Sequence, residues 1–365
     1  MSPRNSRLLD LYTDYLLASF GPTTATGLAA LLPGLSHDQV TRFLARQELT
    51  DNDLWKAVKP HLRSVQSDQA VLIIDDTVEE KPYTDESELI SWHFDHATGR
   101  TVKGINLISA LYLSQDVSLP VAFHLIHKTE RVTDKKTGED RWQSKQTKNE
   151  VAREMIASVR QKQIPFRYVL ADAWFSANEN LIYIKQKARK DFVMPVKSNR
   201  NVYLSDPSAK VGKPAKLSAL DFGSDGLRTL YLDGIDFAVQ VLRQVFTNED
   251  GSQNVAYLCT SDLRLSASDL STLYQKRWKV EEYHKSLKSN ASFARSPTKR
   301  IRTQTNHFVA SLLAFVKLEV CRCLHGVNHF ALKAKLYRAA LASAFQQLQQ
   351  FKTGATRLSH TDCVR

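Results

Sequence analysis

The segment AVLIIDDT, residues 70–77, is a run of apolar, mostly branched side chains that ends in two adjacent acids. A short run of this kind is typical of a buried central strand. A second apolar run, FRYVLADAWFS at residues 166–176, contains a strand that ends at Asp172. A carboxylate at the end of a buried strand is costly unless it is paired or bound to a metal. The two runs therefore predict a sheet whose strand ends carry functional acids.

The segments around these two runs predict a mixed α/β sheet, because strands and helices alternate along the chain. The predicted elements are, in order, strands at 101–115 and 118–128, a charged loop at 129–148, a helix at 149–163, the strand before Asp172, a helix at 178–190 and a strand at 191–197.

Changes in sequence pattern divide the chain into five predicted segments. They are a helical region at 1–66, a first part of the core at 67–199, a β insertion of short alternating runs at 200–264, a second part of the core at 265–325 and a helical tail at 326–365. The first region contains a helix, a Pro-Gly turn and a second helix with Ser36 as its N-cap. Both a DNA-reading helix-turn-helix and a plain helical bundle fit this pattern.

Charge favours a polyanionic partner. The 365 residues carry 50 Lys and Arg against 38 Asp and Glu, a net charge of +12. This balance indicates nucleic acid first and an anionic membrane surface second. There is no apolar run of transmembrane length and no signal peptide pattern at the N-terminus, so we expect a cytoplasmic, DNA-associated protein. The four cysteines have no disulfide or zinc spacing, and we expect reduced thiols.

The segment LYQKRWKVEEYHKSLKSN, residues 273–290, predicts a helix with an unusual basic stripe. At about 100° per residue, five side chains share a stripe roughly 80° wide, and Glu282 lies about 100° away from it. The five are Tyr274, Arg277, Glu281, Lys285 and Lys288. One interpretation is a surface helix with weak ion pairs. The other is a carboxylate that binds a cation between groups that bind phosphates. In that case three acids, from two strands and one helix, could hold two Mg²⁺ ions for phosphoryl transfer.

The same segment resembles the signature helix of DDE transposases of the insertion-sequence-four family. That YREK signature is Tyr, two residues, Arg, three residues, Glu, six residues, Lys, and the fitting residues here are Tyr274, Arg277, Glu281 and Lys288. VLIIDDT and YVLADAWFS resemble the family's first-acid and second-acid strands. The resemblance implies a ribonuclease H-like mixed sheet with a β-strand insertion, an N-terminal helical DNA-binding region and C-terminal helices.

The resemblance also assigns roles to individual residues. Asp75, Asp172 and Glu281 are implied as catalytic metal ligands for two Mg²⁺ ions, with Mn²⁺ as a substitute, and Asp76 is the alternative first carboxylate. The residues expected to contact DNA are Tyr274, Arg277, Trp278, Lys285 and Lys288 on the signature segment and Arg295, Lys299, Arg300 and Arg302 after it.

The implied activity is cut-and-paste transposition, in which the enzyme cleaves transposon ends and joins their 3′-hydroxyls to target DNA. The implied partners are double-stranded DNA, both terminal inverted repeats and target, and a second copy of the chain in the paired-end complex, with no membrane. Two alternatives stay open. One is a non-catalytic DNA-binding protein derived from a transposase, and the other is a ribonuclease H-like nuclease that cleaves without strand transfer.

Overall fold

A computed structural model describes residues 2–95, 98–133, 138, 140–206 and 213–353 of the chain. The helices within these ranges are α1 Pro3–Ala18, α2 Ala25–Leu31, α3 His37–Arg46, α4 Asp51–Val65, α5 Lys148–Gln161, α6 Asn178–Ile182, α7 Ala267–Gln275, α8 Trp278–Asn290, α9 Ile301–His325 and α10 His329–Thr353. The strands are β1 Val71–Glu80, β2 Ser91–Asp95, β3 Arg100–Ser114, β4 Val117–Leu125, β5 Glu130–Thr133, β6 Asp140–Gln143, β7 Tyr168–Ala171, β8 Asp191–Val196, β9 Asn201–Tyr203, β10 Ala215–Lys216, β11 Leu227–Leu232, β12 Val239–Thr247 and β13 Gln253–Thr260.

A large mixed sheet organises the chain. Strand β1 pairs antiparallel with β3 and parallel with β7, and β7 pairs parallel with β8. Strand β3 also pairs antiparallel with β2 and β4. Helices precede and follow the sheet-forming part of the sequence. This is a mixed α/β architecture with the strand arrangement of a ribonuclease H-like fold, so the predicted fold class is confirmed.

The apolar runs that predict β1 and β7 are buried as expected of central strands. Every residue from Val71 to Ile74 is at most 1% exposed, and the four residues of β7 are also buried. In the parallel pairing of these strands Ile74 lies opposite Ala171. The next residue of each chain segment is an acid, Asp75 on β1 and Asp172 after β7. The register therefore brings the two acids to neighbouring positions. Only Asp172 follows the end of its strand as predicted, because β1 continues to Glu80 and Asp75 lies within it.

The segment at 200–264 adds strands β9 to β13 to the same sheet, and β13 pairs antiparallel with β8. Part of the prediction for the preceding segments is wrong. The charged segment at 129–148, predicted as a loop, contains the β5–β6 hairpin. All eight residues of that hairpin are exposed, so their side chains carry no apolar alternation that could reveal a strand.

The segment 273–290 is two helices and not one, which corrects the helical-wheel prediction. Helix α7 ends at Gln275, α8 begins at Trp278, and Lys276 and Arg277 form a turn between them. Tight bonds of the i to i+3 type replace the α-helical ladder here, since the amide of Arg277 donates to the carbonyl of Tyr274 at 2.9 Å. The angular position of Tyr274 relative to Glu281 therefore does not follow from a single wheel.

The chain forms two compact units. The first comprises residues 1–46, 286–297 and 310–365, and the second comprises 47–285 and 298–309. In the first unit Ser36 accepts a hydrogen bond from the amide of Gln39, so it caps α3 as predicted. The second unit holds the large sheet.

Among the residues that the structure describes, no helix is long and apolar enough to cross a membrane, and Cys259, Cys321 and Cys323 are free thiols. Cys363 lies outside the described residues.

Candidate active site

The two adjacent acids of β1 lie on opposite faces of the sheet, because side chains alternate along a strand. Asp75 lies opposite Ser109 of β3, whose hydroxyl is 3.3 Å from the hydroxyl of Tyr283 on α8. Asp75 therefore faces α8. The carboxylate of Asp76 instead accepts hydrogen bonds from the amide of Asn106 and from the ammonium of Lys148, each at 2.7 Å. Lys148 is the first residue of α5.

Asp172 directly follows β7 and starts a short 3-10 turn, Ala173–Phe175. Its carboxylate accepts a hydrogen bond from the amide of Trp174 at 2.9 Å. Buried Asn180 donates to the carbonyl of Phe175 at 2.9 Å, and Arg200 donates to the carbonyl of Ser176 at 2.7 Å. These bonds fix the turn, so the backbone that carries Asp172 is held at the end of its strand.

Helix α8 supplies the third predicted acid. Glu281 lies in its first turn, with a side chain 44% exposed, and its carboxylate is 3.3 Å from Nη1 of Arg277. The same nitrogen is 3.3 Å from the carboxylate of Asp75. One guanidinium therefore connects the acid of β1 with the acid of α8. Glu282 points elsewhere and pairs with Lys279 at 3.0 Å.

Burial and mutual repulsion perturb the acids of this cluster. Burial is the largest cause that raises the pKa of Asp75 to about 7, and the charges of Asp172, Asp76 and Glu281 raise it further while Arg277 lowers it. The pKa of Asp172 is also raised, first by burial and then by Asp76, against hydrogen bonds from Trp174 and Phe175 and the charge of Arg277. Carboxylates that crowd in this way, with few cations among them, are suited to binding a divalent cation.

His284 is a candidate ligand that the sequence interpretation did not single out. Ligand atoms of Asp75, Glu281 and His284 all lie within 4.8 Å of one another, and His284 is 6% exposed. The sequence carries a signal for it. Glu281 and His284 form a Glu-x-x-His pair, which places both side chains on one side of a helix. Lys148 and Asn106 were also missed, and no local pattern marks them.

The remaining predicted residues fall in both units. Tyr274, Trp278 and Lys285 belong to the same unit as the acids, and the side chain of Trp278 is 64% exposed. Lys299, Arg300 and Arg302 are exposed in that unit too, with Lys299 3.5 Å from Asp85. Lys288 and Arg295 belong to the other unit. There the guanidinium of Arg295 donates to the carbonyl of Ser19 at 3.1 Å.

A family model described as DDE superfamily endonuclease matches residues 3–219, more than half of the chain. The chain belongs to the DDE superfamily endonucleases. The matched range contains Asp75, Asp76 and Asp172, and it ends before Glu281. A comparison with curated proteins found no match.

Membership in this family makes the protein a nuclease or transposase-type enzyme that acts on DNA, and such endonucleases generally use divalent metal ions. The donor set of the endonuclease fits that requirement, because Asp75 and Glu281 present carboxylate oxygens within 4.8 Å of each other and of His284. Hard divalent cations such as Mg²⁺ prefer oxygen ligands.

The raised pKa of Asp75 predicts a pH-dependent stability of the metal-free endonuclease. In the folded protein the pKa of Asp75 is about 7, so this carboxyl stays protonated until the pH approaches 7. In the unfolded chain its pKa returns to the usual value of 3.8. The contribution of this group to the free energy of unfolding therefore falls as pH rises from about 4 to 7. In EDTA, Asp75→Asn should be more stable than the wild type at pH 8, by on the order of 3 kcal/mol, and equally stable near pH 4.

Chemical denaturation at several pH values measures this difference. Asp85→Asn is the control, because the side chain of Asp85 is 92% exposed and the substitution should change stability little at any pH. A constant difference between Asp75→Asn and the wild type from pH 4 to 8 would show that Asp75 does not carry this repulsion.

Proposed function

We propose that this DDE endonuclease is a cut-and-paste transposase of the insertion-sequence-four type. It cleaves DNA at transposon ends and transfers the resulting 3′-hydroxyls into target DNA. The observation that carries the proposal is the electrostatic proximity of Asp75 on β1, Asp172 directly after β7 and Glu281 on α8, which stands in YREK spacing. The charges of Asp172 and Glu281 both raise the pKa of Asp75, so the three groups are electrostatic neighbours.

Asp75, Asp172 and Glu281 are the proposed ligands of two Mg²⁺ ions, with Mn²⁺ as a substitute. When bound, such a pair supplies activation of the attacking oxygen and stabilisation of the leaving oxygen in an in-line displacement at phosphorus. Two contacts support Asp75 over Asp76 as the first ligand. Asp75 shares Arg277 with Glu281, whereas Asp76 is already paired with Lys148 on the other face of the sheet.

The chain's own cationic and aromatic groups would position the DNA. Trp278 and Lys285 are exposed on α8, and Tyr274 and Arg277 lie at the α7–α8 break. The exposed side chains of Lys299, Arg300 and Arg302 are suited to phosphate contacts, which contribute binding energy through counterion release. Lys288 completes the signature. Arg295 stays in the proposed set, because a guanidinium has five N–H donors and Ser19 occupies only part of them.

We also propose that the five predicted segments have separate roles in transposition. Helices α2 and α3 would contact the terminal inverted repeats, and the alternative of a plain helical bundle stays open for this region.

Helix α10 supports the proposed homodimer, because it carries an apolar stripe. Tyr337, Leu341, Phe345 and Leu348 recur at spacings of three and four residues and are each at least 49% exposed. Side chains with this spacing share one face of a helix.

Cleavage assays on DNA that carries the inverted repeats flanking the gene test the activity. With Mg²⁺ the wild type should nick the repeat ends and join them to a target plasmid. Binding without any nicking would favour the non-catalytic alternative, and nicking without joining would favour a simple nuclease.

The two adjacent glutamates of α8 give a matched pair of variants. Glu281→Gln should reduce cleavage by at least a thousandfold, on the order expected when a catalytic metal ligand is lost, and should still bind the repeat DNA. Glu282→Gln should keep cleavage within about threefold, since Glu282 is exposed and forms a surface pair with Lys279. Equal losses in both variants would remove Glu281 from the ligand set.

The α10 stripe predicts how the protomers associate. The double variant Leu341→Glu and Phe345→Glu places two charges on the stripe, so it should lower the mass of the DNA-bound complex to that of a single protomer, as measured by light scattering. Ser343→Glu is the control, since Ser343 is exposed on the opposite side of α10. A complex of unchanged mass in the double variant would show that another surface pairs the protomers.

A further inference from the structure

The position between Asp75 and Glu281 is taken by a cation of the chain itself. Nη1 of Arg277 is 3.3 Å from a carboxylate oxygen of each acid, and the side chain of Arg277 is only 16% exposed. These are two of the three groups whose ligand atoms come within 4.8 Å of one another. A divalent ion held by Asp75 and Glu281 and the guanidinium of Arg277 would therefore compete for the same two oxygens.

We propose that Arg277 is an internal competitor of the metal ion. In the DNA-free protein it neutralises the Asp75–Glu281 pair and weakens metal binding, and it leaves the pair when a DNA phosphate accepts it. The inference rests on the proposed function, because it takes Asp75 and Glu281 as metal ligands and DNA as the substrate.

The contacts of Arg277 are those of a group that can leave. Both ion pairs come from one nitrogen, and both are longer than the 2.7–2.9 Å of a strong charge-assisted bond. The residue lies in the turn between α7 and α8, outside the regular ladder of either helix. Its guanidinium is near the rings of Tyr274 and Trp278, at 5.8 and 5.9 Å from their centroids. At these distances the cation–π attraction is weak, and it accompanies a side-chain hydrogen bond between Arg277 and Tyr274.

The second cation near the cluster is held differently. Lys148 is 2.7 Å from the carboxylate of Asp76, which also accepts a bond of 2.7 Å from Asn106. Lys148 therefore pairs closely with Asp76, and buried Asn106 holds the carboxylate of Asp76 in place. Of the two cations, Arg277 is the one whose loss frees oxygens of both proposed ligands on the α8 face.

This arrangement links metal binding to DNA binding. If a phosphate draws Arg277 away, the Asp75–Glu281 pair gains affinity for metal, and by thermodynamic reciprocity the bound metal raises the affinity for DNA by the same factor. The protein would then assemble a loaded site mainly on its substrate. A purely structural role for Arg277, as a clamp between β1 and α8, predicts the opposite, because loss of the clamp would separate the ligands.

Titration of Mn²⁺ into the DNA-free, full-length protein, followed by electron paramagnetic resonance of the free ion, separates these alternatives. Arg277→Gln should bind Mn²⁺ about tenfold more tightly than the wild type, a difference of about 1.4 kcal/mol. Lys279→Gln is the matched control, because it removes the same charge from a neighbouring residue that pairs with Glu282 and Asp116. Its Mn²⁺ affinity should stay within twofold of the wild type. Equal or weaker binding in Arg277→Gln overturns the proposal.

A measurement on the wild type keeps the inference testable if Arg277→Gln does not fold, which thermal unfolding will show. The affinity for a mixed-sequence 40-base-pair duplex, followed by fluorescence anisotropy, should rise about tenfold on adding Mn²⁺ at constant ionic strength. Divalent ions ordinarily weaken DNA binding by competing for phosphates, so such a rise is specific. No rise in the wild type contradicts the linkage. Neither titration requires cleavage, so a protein that shows both effects but never nicks repeat DNA would refute the transposase proposal alone.

Discussion

Repulsion between crowded carboxylates, of which Asp75 is buried, is the constraint on which the site depends. Asp75, Asp76, Asp172 and Glu281 are close enough that three of them raise the pKa of the fourth, in addition to the effect of burial. A cluster of this kind is stable only where cations are near, since isolated buried charges are expelled or neutralised. Among the described residues, Lys148 and Arg277 form ion pairs with these acids. Lys148 begins α5 and Arg277 lies in the turn between α7 and α8, so two separate segments of the chain supply the compensating charge.

Alternation along β1 turns two identical neighbours into two different groups. Asp75 faces α8 and shares its cation with Glu281, so its charge is only partly balanced. Asp76 faces Lys148 and Asn106 and is satisfied by both. Strand geometry alone produces the different environments of Asp75 and Asp76, because consecutive side chains of a strand point to opposite faces. An Asp-Asp pair can therefore supply one acid for chemistry and one for holding the sheet against α5.

The fold was predictable where local pattern determines structure. The runs at 70–77 and 166–176 are continuously apolar because β1 and β7 are buried on both faces, and that signal is visible in the sequence. Strands β2, β5 and β6 were not predicted. The β5–β6 hairpin is fully exposed, and β2 is a short run of five residues in an acidic stretch. In β2 the buried side chains are the polar Ser91 and His93, whereas Trp92 and Phe94 are exposed, so its alternation does not indicate a buried face.

The site itself was predictable only in part. A helical wheel separates Glu281 from Glu282, and this relation holds because both residues lie in α8 and adjacent residues differ by about 100°. The same wheel could not place Arg277, because the turn at 276–277 contains neither glycine nor proline to mark it. Its contact with Asp75 joins residues 202 positions apart, and that of Lys148 with Asp76 joins residues 72 positions apart. Such contacts depend on the packing of whole elements, and no local pattern encodes them.

The break before α8 places Glu281 within a helix and Arg277 outside it. Glu281 lies within α8, between Val280 and Tyr283, which are at most 1% exposed, and the hydroxyl of Tyr283 is 3.3 Å from that of Ser109 on β3. The glutamate is thus carried on a helix that is fixed to the sheet. Arg277 lies before the helix, in the turn at 276–277, and its backbone is not part of the regular ladder of α8. A site that must hold an acid still while a cation departs needs this separation, and a continuous helix through residues 273–290 would not provide it.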